Sequence, residues 1–169
     1  MKSSIQLVAA FALFTAPPDR NVWTVPACNT RPCEGTRIRT DLGFGEFCVP
    51  RGLTIRKEIG EHGDVHYTIS RSKRSHDSLL ITSGPYFTGK APGGGRAGWL
   101  FRPWKCDDWK GEDFQRVTSA GKSRYLTLNM IMGYAQYSNT PPNIAATFDR
   151  ILDSFCCRGC ADGKGCTCS

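Results

Sequence analysis

The chain has 169 residues, about one domain's worth, and 40% of them are hydrophobic, enough for a packed core. This excludes wholesale disorder and collagen-like or coiled-coil builds. Nine cysteines and a net charge of +7 complete the profile. That is more cysteine than an ordinary cytosolic domain carries and less than a knottin-like scaffold.

The N-terminus reads MKSSIQLVAAFALFTAPPDR, with Lys2 ahead of an apolar run from Ile5 to Ala16. A charged start and about a dozen apolar residues form the profile of a secretory signal, and the run is too short to cross a bilayer core about 30 Å thick. Residues 1–16 are therefore expected to be a signal peptide, with no transmembrane span. The cysteines agree, because stable disulfides need an oxidising compartment. No Asn-x-Ser/Thr acceptor points to eukaryotic glycosylation. The expected location is the periplasm or exterior of a bacterium; a buried N-terminal helix of a cytosolic protein is the competing reading.

Residues 17–45 scatter Pro17, Pro18, Pro26, Pro32, Gly35, Gly43 and Gly45 around Cys28 and Cys33. Punctuation without periodicity predicts a loop-rich arm tied down by a disulfide. Strands follow. Glu46 to Val49 leads into a turn at Pro50-Arg51-Gly52, and Leu53, Ile55 and Lys57 alternate with Thr54 and Arg56. After a turn at residues 60–64, Val65, Tyr67 and Ile69 alternate with His66, Thr68 and Ser70, a half-buried strand. Leu79-Leu80-Ile81 reads as a buried strand. Glycines 84, 89, 93, 94, 95 and 98 mark a long loop before a strand over 99–105.

Residues 114–118 and 123–134 flank Ser119-Ala120-Gly121-Lys122, a hairpin whose second arm shows Leu126, Leu128, Met130, Met132 and Tyr134 on one face. A helix closes the chain, with Thr140 as N-cap and Pro141 at its first position. Ile144, Phe148, Ile151, Leu152 and Phe155 form its apolar stripe, and Asp149, Arg150 and Asp153 fall outside it. The expected fold class is α+β: an antiparallel sheet with a C-terminal helix packed on one face and a loop-rich, disulfide-tied N-terminal arm. The domain would span 46–156, followed by a cysteine-rich tail at 157–169.

The run Gly121-Lys122-Ser123-Arg124-Tyr125-Leu126, the strand ending Tyr134-Ala135-Gln136-Tyr137, and Phe148-Asp149-Arg150-Ile151-Leu152-Asp153-Ser154-Phe155 together resemble the end of PsbP-like domains. The resemblance covers residues 46–156. It implies an αβα sandwich and a non-enzymatic binding or assembly role, and it carries over no catalytic residue.

Three constellations carry candidate chemistry. Cys157, Cys160, Cys166 and Cys168 offer four thiolates to a tetrahedral zinc, or to copper. In an oxidising compartment the same thiols form disulfides instead, and Cys28, Cys33, Cys48, Cys106 and Cys156 supply core bridges whose connectivity the sequence leaves open. Redox exchange at Cys157-x-x-Cys160 is disfavoured, because the pair follows a helix C-terminus, where no dipole stabilises thiolate. Secondly, Trp99, Phe101, Arg102, Trp104, Lys105 and Trp109 interleave rings with cations, a surface for a protein or an envelope polymer. The competing reading has a small sheet burying these rings in its core. Thirdly, Glu61-His62-Gly63-Asp64-Val65-His66 sets two histidines beside two carboxylates, ingredients for a metal site or a small hydrolase.

Gly84 to Lys90 has phosphate-loop spacing, but Ala91-Pro92-Gly93 follows where a helix is required, so no nucleotide is expected. Nucleic acid is not an expected partner of an exported protein, and no cofactor is expected unless the tail holds metal. The sequence thus describes an exported, disulfide-containing module that binds or assembles without catalysis. The alternative is a metal-binding or thiol-active protein using the cysteine tail.

Overall fold

A computed structural model describes residues 22–40, 45–84, 98–106, 109–128 and 133–158. The expected signal peptide, most of the glycine-rich loop and Cys160, Cys166 and Cys168 lie outside the described residues. In chain order the strands are β1 (Trp23–Thr24), β2 (Thr36–Arg39), β3 (Gly45–Val49), β4 (Thr54–Ile59), β5 (Val65–Ser70) and β6 (Ser78–Ser83). Then come β7 (Leu100–Cys106), β8 (Trp109–Thr118), β9 (Gly121–Thr127), β10 (Gly133–Thr140) and, after helix α1 (Pro142–Asp153), β11 (Cys156–Cys157). A 3-10 turn spans Cys28–Thr30.

Eight strands form one sheet in the order β1-β7-β8-β9-β10-β6-β5-β4, and three form a second in the order β11-β3-β2. Strand accounts for 56% of the described residues and helix for 13%, so the fold is β-rich rather than the expected α+β. Nor is the large sheet wholly antiparallel: β1 runs parallel to β7, with Trp23 opposite Trp104. Two departures from the expected pattern account for the difference. The arm expected to be loop supplies β1 and β2, and the strand expected over 123–134 folds back on itself as β9 and β10.

That fold-back depends on Gly133, which sits at φ +144. A Cβ there would stand 2.1 Å from the Thr82 carbonyl oxygen of β6, so only glycine fits. The Leu128 amide donates to the Gly133 carbonyl and closes the turn. Tyr134 consequently lies opposite Thr127, on the face away from Leu126, and stacks on Tyr125 with ring centroids 5.3 Å apart. Met130 and Met132 lie outside the described residues. The first hairpin matches its sequence pattern, with β8 and β9 joined by a turn at Ser119-Ala120.

Helix α1 begins one residue later than expected, with Pro141 at the cap and Pro142 first in the helix. Its stripe of Ala145, Phe148, Ile151 and Leu152 is buried, and the helix packs on β9, β10 and β3. Fully burying each of the three large side chains contributes about 1.5–3 kcal/mol. The small sheet joins the helix over the same face of the large one. Between them lie Ile69, Leu79, Ile81, Trp104 and Leu126 from below and Ile38, Phe47 and Val49 from above. Phe155 joins the layers, its ring centroid 5.0 Å from that of Phe47 and 5.3 Å, edge-on, from that of Trp104. The Trp104 indole N–H donates to the Thr127 carbonyl at 2.9 Å. Gly111, directly opposite on β8, leaves room for its ring: a Cβ there would meet the indole at 2.5 Å.

Three cysteine pairs stand at disulfide distance: Cys28–Cys156, Cys33–Cys48 and Cys106–Cys157, with sequence separations of 128, 15 and 51. The arm is thus tied down twice, once to β3 and once to the residues after the helix. The adjacent Cys156 and Cys157 grip the arm and β7 respectively, and the Cys157 amide donates to the Pro26 carbonyl at 3.0 Å. Glu46 of β3, buried, accepts from Arg37 at 3.0 Å and Arg39 at 3.1 Å of β2. The small sheet therefore draws strands from the arm, the start of the expected domain and its tail.

Candidate functional site

Strand alternation divides the six residues expected to form a partner-binding cluster. On β7, Arg102 and Trp104 point to the core face and Phe101 and Lys105 to the other. Trp104 is fully buried, and Trp109 packs partly buried against the core. The Arg102 guanidinium lies 4.7 Å from the centre of the Trp23 ring and pairs with Asp113 at 3.1 Å. Trp99 is half-buried ahead of the strand, and Lys105 is exposed. These six do not share one surface.

A different group gathers at the end of the β7–β8 pair. Leu100 is 77% exposed, Val117 75% and Phe101 43%. Leu100 stands opposite Gln115, two positions from Val117 on the same strand face, and Phe101 projects to the other face against Phe114, 5.5 Å between centroids. Arg116 is exposed beside them, and Lys122 sits opposite Val117. Sequence reasoning missed Leu100 and Val117 because an apolar residue on a strand reads as core, and only the folded structure shows these two exposed at 77% and 75%.

Inward from this end lies a buried charge network. The Arg124 side chain is sealed from solvent. It reaches Asp113 twice, at 2.9 and 3.0 Å, Asp149 at 3.2 Å and Asp153 at 2.8 Å. Asp113 also accepts from Arg102 and from Gln115, the latter at 3.2 Å. Asp149 accepts from Lys122 at 2.6 Å and from the Tyr137 hydroxyl at 2.7 Å. No buried side-chain nitrogen or oxygen among the described residues lacks a hydrogen-bond partner.

Burial alone would lower the Arg124 guanidinium, but the hydrogen bonds and charges of Asp113 and Asp153 outweigh it and hold the group above its ordinary value. Burial would raise the Asp149 carboxyl, yet Lys122, Tyr137 and Arg124 hold it below the usual range. The Tyr137 hydroxyl is pushed up by burial and by Asp149, and the Tyr125 hydroxyl is pushed up to about 12 by burial and the neighbouring Tyr134. The sequence carried two signals for this network. Lys122 and Arg124 alternate in step with Leu126, and Asp149 and Asp153, four apart, share the helix face that meets β9.

The remaining sequence candidates resolve as follows. His66 of β5 lies between the Asp64 carboxylate, on Nε2, and the Thr82 hydroxyl, 3.0 Å from Nδ1. Thr82 is fully buried and directly opposite His66 on β6, so the arrangement ties two strands and leaves its hydroxyl closed to a substrate. Cys28, Cys156 and Glu46 place ligand-type atoms within 4.8 Å of one another, but the two sulfurs are paired with each other and Glu46 with arginines. Of the four tail thiolates, Cys157 stands at disulfide distance from Cys106, and Cys160, Cys166 and Cys168 lie outside the described residues. No helix of the described residues is long and apolar enough to cross a membrane. Comparison with protein-family models, with curated proteins and with solved structures finds no match.

Proposed function

We propose that this chain is an exported, disulfide-stapled, β-rich protein that works by binding a partner rather than by catalysis, and that it does so through Leu100 and Val117 on one face at the end of the β7–β8 pair. The exposure of these two side chains carries the reading: they are two of the four large apolar side chains that stand exposed among the described residues, and they share one strand face. Burying each against a partner would contribute about 1.5–3 kcal/mol. Arg116, exposed at the same end of the strands, favours a partner with acidic groups, either an acidic protein face or an anionic envelope polymer.

The charge network supports the same reading. Arg124 and Asp113 are buried and committed to each other, an arrangement that holds β8 to β9 rather than presenting a group to a substrate. The likeness of residues 121–155 to PsbP-like domains points the same way, and so do the signal-like start and the three cysteine pairs for export. For the four-thiolate alternative, Cys157 stands at disulfide distance from Cys106.

The test is retention of the oxidised protein on an envelope fraction of the producing cell, compared with the double variant Leu100→Ser, Val117→Ser. Both side chains are exposed, so the thermal midpoint should stay within about 2 °C. Loss of retention with an unchanged midpoint supports the site. Retention equal to that of the parent chain would reject it.

A further inference from the structure

Strand β4 closes one border of the large sheet, and it is built as an edge that can still pair. It bonds to β5 along its whole length, from Thr54 opposite Ser70 to Ile59 opposite Val65, with no break in register. Its other side has no strand partner among the described residues. Arg56, Lys57, Glu58 and Ile59 are all exposed, Ile59 at 71%. The strand contains no proline or bulge, so its outer row of amides and carbonyls remains a template for another strand, and its charged side chains, Arg56, Lys57 and Glu58, select which strand can use it.

The sequence of that edge is complementary to itself. Read antiparallel about a centre at Lys57, Thr-Ile-Arg-Lys-Glu-Ile sets Arg56 opposite Glu58 of a second copy, and Glu58 opposite its Arg56. Within one chain the two pair with each other at 3.2 Å on the exposed face, and across the seam that pair becomes a four-charge cluster of alternating sign. On the other face Ile55 meets Ile59. Moving the register by two residues in either direction sets Arg56 opposite Arg56 or Glu58 opposite Glu58, and a one-residue slip turns one sheet over. Among the registers that keep both sheets the same way up, only the Lys57 centre pairs opposite charges. It also sets Lys57 opposite Lys57 of the second copy, and each ammonium is drawn back from that centre over the Tyr67 ring on β5, 5.7 Å from the centroid.

We propose that β4 is the docking edge for a second copy of this chain, two copies pairing antiparallel about a twofold axis at Lys57 so that their large sheets become one. A six-residue seam buries less than the roughly 1,200–2,000 Å² of a tight interface, so the dimer is weak and depends on concentration. This proposal is independent of the partner surface at Leu100 and Val117.

The test is sedimentation velocity on the oxidised full chain from about 10 µM to 1 mM, a range suited to a weak dimer. The variants are Arg56→Glu, Glu58→Arg and the two together. Each single variant places like charges at both symmetric positions and should weaken the dimer about tenfold or more. The double variant restores opposite charges and should recover the parent's behaviour. All three sites are exposed, and thermal melts confirm that the variants fold. Slower hydrogen exchange at the β4 amides as concentration rises is the second readout. A chain that stays monomeric across the range, a dimer indifferent to the single variants, or a double variant that fails to recover it would each overturn the proposal.

Discussion

Arg124 holds Asp113 through two nitrogens at once, Nε to Oδ1 at 2.9 Å and Nη2 to Oδ2 at 3.0 Å, with both side chains shut off from water. A paired fork of this kind is the strongest of the charged contacts, and it joins β8 to β9 beneath the helix. Removing one partner leaves the other buried and underpaired. Asp113→Asn keeps the shape and removes the charge, and it should cost about 3 kcal/mol or more, read from the urea midpoint at pH 7 with the disulfides intact. A cost under about 0.5 kcal/mol would mean that Asp149 and Asp153 satisfy Arg124 by themselves.

The same network sets how the fold responds to acid. Asp149 titrates below its ordinary value of 3.8, so the stability it contributes is fully present above that value and is lost as the pH falls through the lower folded one. Urea unfolding from pH 5 down to pH 2 should show stability falling steeply in the parent chain. Asp149→Asn should start lower and fall less. Parallel curves would show that the acid sensitivity lies elsewhere.

Alkali acts at the other end. Tyr125 ionises at about 12 in the fold against an ordinary 10.0, so its contribution holds below pH 10 and disappears between 10 and 12. Tyr125→Phe keeps the ring contacts and should lose less stability across that window than the parent. Equal loss would remove Tyr125 from the explanation.

The cysteine pairs should differ in their resistance to reductant. Cys33 and Cys48 are half-buried, whereas Cys106, Cys156 and Cys157 are buried and Cys28 nearly so. Brief treatment with reductant followed by alkylation and peptide mass mapping should label Cys33 and Cys48 first. Removing this pair by Cys33→Ala, Cys48→Ala should cost about 3 kcal/mol, the usual effect of closing a loop of this length. Simultaneous labelling of all six would show that the bridges open only with the whole fold.

Periodicity made some of this legible in the sequence. The alternation of Val65, Tyr67 and Ile69, the β8–β9 hairpin and the stripe of Phe148, Ile151 and Leu152 all appear where the pattern placed them. β1 and β2 were hidden because two- and four-residue strands among prolines and glycines are too short to show a period; pairing with β7 and β3 defines them. The reversal between β9 and β10 was hidden for the opposite reason: in the sequence Met130 and Met132 prolong the alternation beyond Leu128, and Gly133 is its one interruption. The exposed pair Leu100 and Val117 was illegible because their exposure depends on which elements pack on that end of the sheet, a tertiary fact that no local pattern carries. The charge network was legible in pieces, as charges at Lys122 and Arg124 in phase with Leu126, but nothing local announced that Asp113 would complete it.

The small sheet also fixes an order of events. Its central strand, β3, lies between β2 from the start of the chain and β11 from beyond the helix, and Cys156 pairs with Cys28 across 128 positions. Local hairpins close early, but this seam can form only after the last strand arrives, and such distant pairings are slow. A polypeptide emerging N-terminus first would therefore hold Cys28 and Cys33 as waiting thiols, with Cys33 able to find Cys48 long before Cys28 can meet Cys156. The chain is finished like a purse string, drawn shut from its far end in a single final step.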